Sequence, residues 1–455
     1  MFAWTQNPAT HRRLIATLVA VVALTALCVG GPPRRASAGL ETERDSRSSE
    51  FDDSSLDDLE IRASDLFGNT CQAHIDSQER GQSSLSADVP SLTELGGDIQ
   101  PIRKLEDPFP SFNGIAVDSA NNIAMLSDSN RKSMLLYDRA SGDRSERETK
   151  PLRRVMGPAT LLGYIAGLAF DASRREIYTV NNDIEDSLMV FSYDAEGNQK
   201  PDRALVIPHG SWGLSLSKSR NELTMSVQDG SNNAVVTYDR DAKGFDPPLR
   251  VLHGRNTLLA DPHGIFLNDR DNELVVANWG SWNVTLGRYT TATRDPVELP
   301  GGSFREPSIA VFDAEAAGDV KPLRMIQGPA TQLDWPTGVD VNLDANEIAV
   351  ANNTDDSILF FHLKDSGNVK PFRVIKGNRT GINRPIGVAI DTKNSELWVA
   401  NFGDHTALVF DLNAKGNAFP KRIIRNAPKG TPTSGFGNVQ TLAYDPKRDE
   451  LLVPN

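Results

Sequence analysis

Cysteine is almost missing from this chain of 455 residues, which has two, Cys28 and Cys71. Cys28 lies in an apolar leader, so removal of that leader would leave Cys71 alone, and no intramolecular disulfide is expected. Cys71 and His74 form a C-x-x-H pair. That pair lacks the further ligands of a zinc site and the second cysteine of a haem attachment, so Cys71 reads as an unpaired thiol. Positive charge is also short: 48 Lys and Arg stand against 60 Asp and Glu, a net charge of −12. Phosphate-backbone binding runs on a cationic excess, so nucleic acid is excluded as the main partner. There is no phosphate loop, no dinucleotide fingerprint and no Gly-x-Ser-x-Gly elbow between strand and helix, which sets aside nucleotide folds and a Ser-His-Asp hydrolase. Composition is that of a globular chain, with 39% hydrophobic residues, 35 Gly and 27 Pro, and excludes both wholesale disorder and a multi-span membrane protein.

The N-terminus reads as an export signal over residues 1–38. His11-Arg12-Arg13 precedes an uncharged run from Leu14 to Gly31, and Ala36-Ser37-Ala38 supplies a small-residue cleavage pattern. Left uncleaved, the run is just long enough to act as a membrane anchor, the one route to a membrane partner. Either way the remainder is expected outside the cytoplasm, periplasmic or secreted. Residues 39–96 hold 14 acidic and 4 basic side chains and read as a solvated acidic tether, with an acidic docking arm as the functional rival. Residues 97–455 are the folded body.

That body repeats one sentence. Gly opens an alternating strand that ends in Asp or Asn, as in Gly114-Ile115-Ala116-Val117-Asp118 and Gly387-Val388-Ala389-Ile390-Asp391. A Glu-led strand ending in Asn follows, such as Glu347-Ile348-Ala349-Val350-Ala351-Asn352, then a Ser-led aromatic strand such as Ser357-Ile358-Leu359-Phe360-Phe361. A Pro-x-Arg phrase leads the fourth strand, with its Arg at 103, 153, 203, 250, 324, 373 and 422. Period-2 alternation throughout, with no sustained helical stripe, makes each unit a four-stranded antiparallel sheet. First-phrase starts at 114, 167, 213, 264, 338, 387 and 441 predict an all-β, seven-bladed β-propeller. The last unit stops after its second strand, and a surplus outer phrase, Gly97-Asp98-Ile99-Gln100-Pro101-Ile102-Arg103, precedes the first. The N-terminal strand is therefore expected to complete blade seven and close the ring, removing the open sheet edges.

These phrases resemble NHL-type propeller repeats, and the Val-Ala-Asn strand followed by a Ser-led strand is similar to the YVTN class of exported bacterial propellers. The resemblance covers residues 97–455 and implies a fold that serves ligand-binding scaffolds, lactonases and lyases alike. The seven units counted here exceed the six common in NHL-type rings.

Features shared by every blade are expected to build the ring, and breaks in the repeat to carry function. The recurrent Gly fits where inner strands crowd. The Asp or Asn residues fit as turn caps, and the Arg of Pro-x-Arg as a pairing group for a neighbouring blade's carboxylate or for solvent. Loops entering the first strand and joining the second to the third share one face, the default binding site. The residues just before each Gly are Asn113, Ala166, Trp212, His263, Thr337, Ile386 and Gln440, of which Trp212 and His263 stand out. Blade four has the largest break, an insertion over 279–307 containing Trp279, Trp282, Arg288 and Tyr289. With Trp212 and Trp335 it predicts four indoles around one sector of the mouth, able to stack on sugars or hold a peptide. Packing of those rings onto the propeller is the competing role.

The expected function is thus an interaction scaffold taking a protein, peptide or glycan ligand at the mouth, with no cofactor and no metal. The alternative is a metal-dependent lactonase or lyase with a divalent cation such as calcium. Among its seven histidines only His209, His263 and His405 fall on the mouth side, without the three-His set that the streptogramin-type lyases of this fold use. Asp128, Asn181, Asn278, Asn352 and Asn401 form a ring resembling the acidic and Asn ligands of gluconolactonase-type propellers, but their recurrence favours turn capping.

Overall fold

In a computed structural model of the chain, the structure describes residues 108–145, 147–182, 185–228, 232–283, 303–431, 433, 443–445, 447 and 450–452. The leader, the acidic segment, the phrase at 97–103, Arg288 and Tyr289 lie outside them. Six four-stranded sheets make up the described body, each antiparallel and in chain order from inner to outer strand. Their inner strands are Phe112–Asp118, Tyr164–Asp171, Ser211–Ser217, Pro262–Asn268, Pro336–Asn342 and Pro385–Asp391. Their outer strands are Arg153–Met156, Arg203–Val206, Arg250–His253, Arg324–Gln327, Arg373–Lys376 and Arg422–Arg425. This is a β-propeller, built from the phrases the sequence repeats.

The expectation of seven blades is corrected to six. The seventh phrase pair yields only a two-stranded ribbon, Ala443–Asp445 with Glu450–Leu452, and the ring closes without it. The ring closes through its glycines. A β-carbon on Gly167 would meet the Trp212 carbonyl oxygen at 2.4 Å, on Gly213 that of His263 at 2.2 Å, on Gly264 that of Thr337 at 2.2 Å and on Gly338 that of Ile386 at 2.4 Å. On Gly387, in blade six, it would meet the oxygen of Asn113 in blade one at 2.6 Å. Each inner strand is irregular next to this Gly, a bulge that only a residue without a side chain accommodates against the next blade's backbone. Closure by an N-terminal strand is corrected with the count: blade six packs directly on blade one, and Trp398, Ala400 and Val409 share one apolar cluster with Phe112, Leu126 and Tyr137.

The Pro-x-Arg arginines work within and between blades. Arg203, Arg250, Arg324, Arg373 and Arg422 bind the Glu that opens their own blade's second strand, Glu176, Glu222, Glu273, Glu347 and Glu396 respectively. The carboxylate is thus the blade's own. The neighbour supplies backbone oxygens instead: Arg250 donates to Ala314 O at 3.1 Å, Arg324 to Leu363 O at 2.9 Å and Arg422 across the seam to Arg139 O at 3.1 Å. Charge-assisted bonds of this kind, half-buried between sheets, join apolar faces that would otherwise only slide.

Candidate functional site

Loops entering the inner strands meet those after the second strands on one face, as expected. Trp279 N donates to Asp261 O at 3.0 Å, Asn353 N to Trp335 O at 3.1 Å and Phe402 N to Arg384 O at 3.0 Å. Buried Asn residues near the ends of four of the second strands lock this arrangement; blade three has Val227 in this place. Asn352 accepts from Asp334 N at 2.6 Å and donates to Gln332 O and Ser357 Oγ, and Asn401 accepts from Asn383 N and donates to Gly381 O and Thr406 Oγ. Asn181 and Asn278 repeat the pattern. The ring of amides is consumed in capping entry loops, so these groups are fasteners. In blade one Asp128 stands in this place, taking the N–H groups of Ser111 and Asn130 and the Ser133 hydroxyl. Its burial drives the carboxyl up to about 6, against those bonds. Among the described residues no group of three or more His, Cys, Asp or Glu side chains converges as metal ligands.

One sector of the face is aromatic. Tyr164 tilts on Trp212 at 5.8 Å, Trp212 on His263 at 4.4 Å, His263 stacks flat on Trp279 at 3.6 Å and 6°, and Trp279 stacks on Trp335 at 4.7 Å and 11°. The track crosses four successive blades. Its inner rings are partly or wholly covered, and Trp335 at its end is 47% exposed. Trp335 owes this position to a left-handed φ of 52° at the residue before Pro336, a place held by Asp261 and Arg384 in the flanking blades. The structure thus unites Trp212, His263, Trp279 and Trp335. Trp282 lies on a short ribbon of the insertion, pairing in register with Phe304, and Tyr164 is a member that the sequence reading passed over.

His263 is fully buried within this sector. Among the described pre-Gly positions, Asn113, Ala166, His263, Thr337 and Ile386 are buried between blades and Trp212 keeps partial exposure, while Gln440 lies outside the described residues. Counting back one place from Gly lands on the bulge, whose carbonyl faces the preceding sheet. The His263 Nδ1 lies 3.0 Å from Asp261 O, an acceptor only, so the ring proton sits on Nδ1 and Nε2 keeps its lone pair without a partner. Burial lowers the imidazole to about 3, partly opposed by that bond. The ring is neutral through the physiological range and acts as a flat spacer between two indoles. His209 and His405 are fasteners too: His209 faces Asp186 at 3.1 Å, and His405 packs on Phe109 at 5.7 Å across the seam.

No protein-family description matches the chain, and no curated protein does. Among solved structures, hydrazine synthase from Kuenenia stuttgartiensis is similar over 69% of this chain and 80% of its own, at 13% identity and a TM-score of 0.46. The WD40 β-propeller domain of Doa1 is similar over 71% and 84%, at 12% identity and a TM-score of 0.43. A nidogen/laminin complex chain is similar over 69% and 94%, at 16% identity and a TM-score of 0.40. These likenesses concern fold alone.

Proposed function

We propose that this chain is an exported propeller of the NHL/YVTN kind, periplasmic or secreted, that serves as an interaction scaffold and takes a protein, peptide or glycan ligand on the track ending at Trp335. The observation that carries the reading is the run of rings from Tyr164 to Trp335, which ends on an indole left open to solvent. A rigid sheet scaffold holds that indole by its backbone, so little side-chain freedom is lost on binding. Such a surface suits the face of a sugar ring or the side chain of a peptide, and aromatic anchors of this type dominate binding energy where they occur.

The test is a screen of residues 39–455 against immobilised peptide and oligosaccharide arrays, repeated with Trp335→Ala. Ligands bound by the parent and lost in the variant are the expected result. An empty screen, or binders indifferent to Trp335, would refute the reading. Fusing residues 1–38 to a reporter active only outside the cytoplasm checks export.

A further inference from the structure

A second break in the repeat lies away from the aromatic track. From the outer-strand Arg to the next inner Gly, the chain takes fourteen positions in four connections, Arg153 to Gly167, Arg250 to Gly264, Arg324 to Gly338 and Arg373 to Gly387, but ten from Arg203 to Gly213. The four longer connections carry a tight turn opened by Gly157, Gly254, Gly328 or Gly377, all at strongly positive φ. An Asx side chain of the following blade caps each turn: Asn198, Asp319, Asn368 and Asn417 accept from Ala159, Asn256, Ala330 and Arg379 N at 2.6–2.7 Å. The short connection has no such turn, and the residue at its cap position is Phe245, which is 60% exposed.

A cavity of about 550 Å³ opens beside that missing turn, on the outer strands of blade two and reaching Gly244 of blade three. Leu161 and Leu162 of the preceding connection line it, together with Met189, Leu205 and Val206. Among the described residues of the lining, Glu185 is the one ionisable side chain. Its Oε2 is buried against Gly163 without a hydrogen-bond partner, which leaves Oε1 as the open acceptor, and Oε1 meets the half-exposed Lys132 at 3.4 Å, a contact too long and too wet to hold it strongly. The volume is that of a small-molecule site.

We propose that this cavity is a binding site for a small apolar amine, its hydrocarbon body against Leu161 and Met189 and its ammonium on Glu185 in place of Lys132. Charge complementarity selects the class: an apolar trough with one carboxylate and no lining cation favours a protonated amine over a neutral or acidic molecule of the same shape.

The probe is n-octylammonium, with n-octanoate as its matched anion, titrated into residues 39–455 carrying 13C-methyl methionine. Met189 is assigned by Met189→Leu. Octylammonium should move the Met189 methyl signal saturably and octanoate should not. Glu185→Gln, isosteric and partly solvent-facing, should weaken octylammonium by about tenfold with the melt unchanged, Ala204→Trp should block it, and Trp335→Ala should leave it intact. Equal binding of amine and acid, a silent Met189, or undiminished binding by Glu185→Gln would each overturn the proposal, whatever the aromatic track binds.

Discussion

The α-carbon of Gly387 lies against the carbonyl oxygen of Asn113, close enough that a β-carbon would stand 2.6 Å from it. These residues belong to the last and first four-stranded blades, so the contact is the point at which six sheets become a ring. It is the same contact that Gly338 makes with Ile386 and Gly264 with Thr337, repeated once more across the chain ends.

Gly387→Ala should therefore destabilise the protein by about 2 kcal/mol, because the added methyl meets backbone that cannot rotate away. The denaturant midpoint should fall, as it should for Gly338→Ala. A midpoint unchanged by Gly387→Ala alone would mean that blades one and six are not neighbours.

The blade itself was legible because every blade repeats the same local solution. Glu396 with Arg422, Asn352 with Ser357 and the bare Gly at each bulge all recur at fixed spacing, and each solves a contact made within one blade or with the next. Blade number was not, because a copy of the first phrase that begins at Thr441 in place of Gly specifies two short strands without specifying which inner strand lies beside which. That is decided by Asn113 and Gly387, residues far apart in sequence. Likewise Trp279 and Trp335 were expected together on composition and place, whereas Tyr164 joined them through a tilt towards Trp212 that no spacing foretells. The shortened Arg203-to-Gly213 connection was readable and marks the cavity beside Met189.

Acidification from pH 7.5 to about 5 should add stability through two buried carboxyls, partly offset by the buried, neutral His263, which burial lowers from 6.5 to about 3 and whose contribution is lost below about pH 6.5. Burial raises the carboxyls of both Asp128 and Asp340 from 3.8 to about 6. The folded state then binds a proton that the unfolded chain does not, and the destabilisation is absent below about pH 3.8 and complete above about pH 6. Asp128→Asn installs the amide present in four of the other five blades, able to donate to Ser133 as Asn181 does to Ser187. It should add roughly 1–2 kcal/mol at pH 7.5 and nothing at pH 4. Thermal melts across that range check both the slope and its reduction.

At lower pH the sign reverses. Burial opposes ionisation of Glu396, but Arg422 and Arg139 outweigh it and hold the carboxyl near 2, against an ordinary 4.5. Its stabilisation is complete above pH 4.5 and is lost as pH falls towards 2. Arg422→Met leaves Glu396, 4% exposed, with weaker partners, and should cost about 3 kcal/mol at pH 7 and move acid unfolding to higher pH. Arg147→Met, from a pair 82% and 49% exposed, should change neither.

Two indoles of one stack should behave differently when removed. Trp279 covers the buried face of His263 at 3.6 Å, so Trp279→Ala strips the stacked indole from a ring whose other aromatic neighbour, Trp212, is tilted by 54°, and should lower stability by about 3 kcal/mol. Trp335 contributes only the outer layer, with 47% of its surface in solvent, and Trp335→Ala should cost within about 1 kcal/mol. A ligand seated on the track loses its anchor in both variants. Binding lost with the melt preserved in Trp335→Ala, beside binding and melt lost together in Trp279→Ala, is the pattern of a packed base carrying an exposed recognition ring. If both variants melted like the parent, His263 would not depend on the stack; if both fell equally, Trp335 would be part of the core.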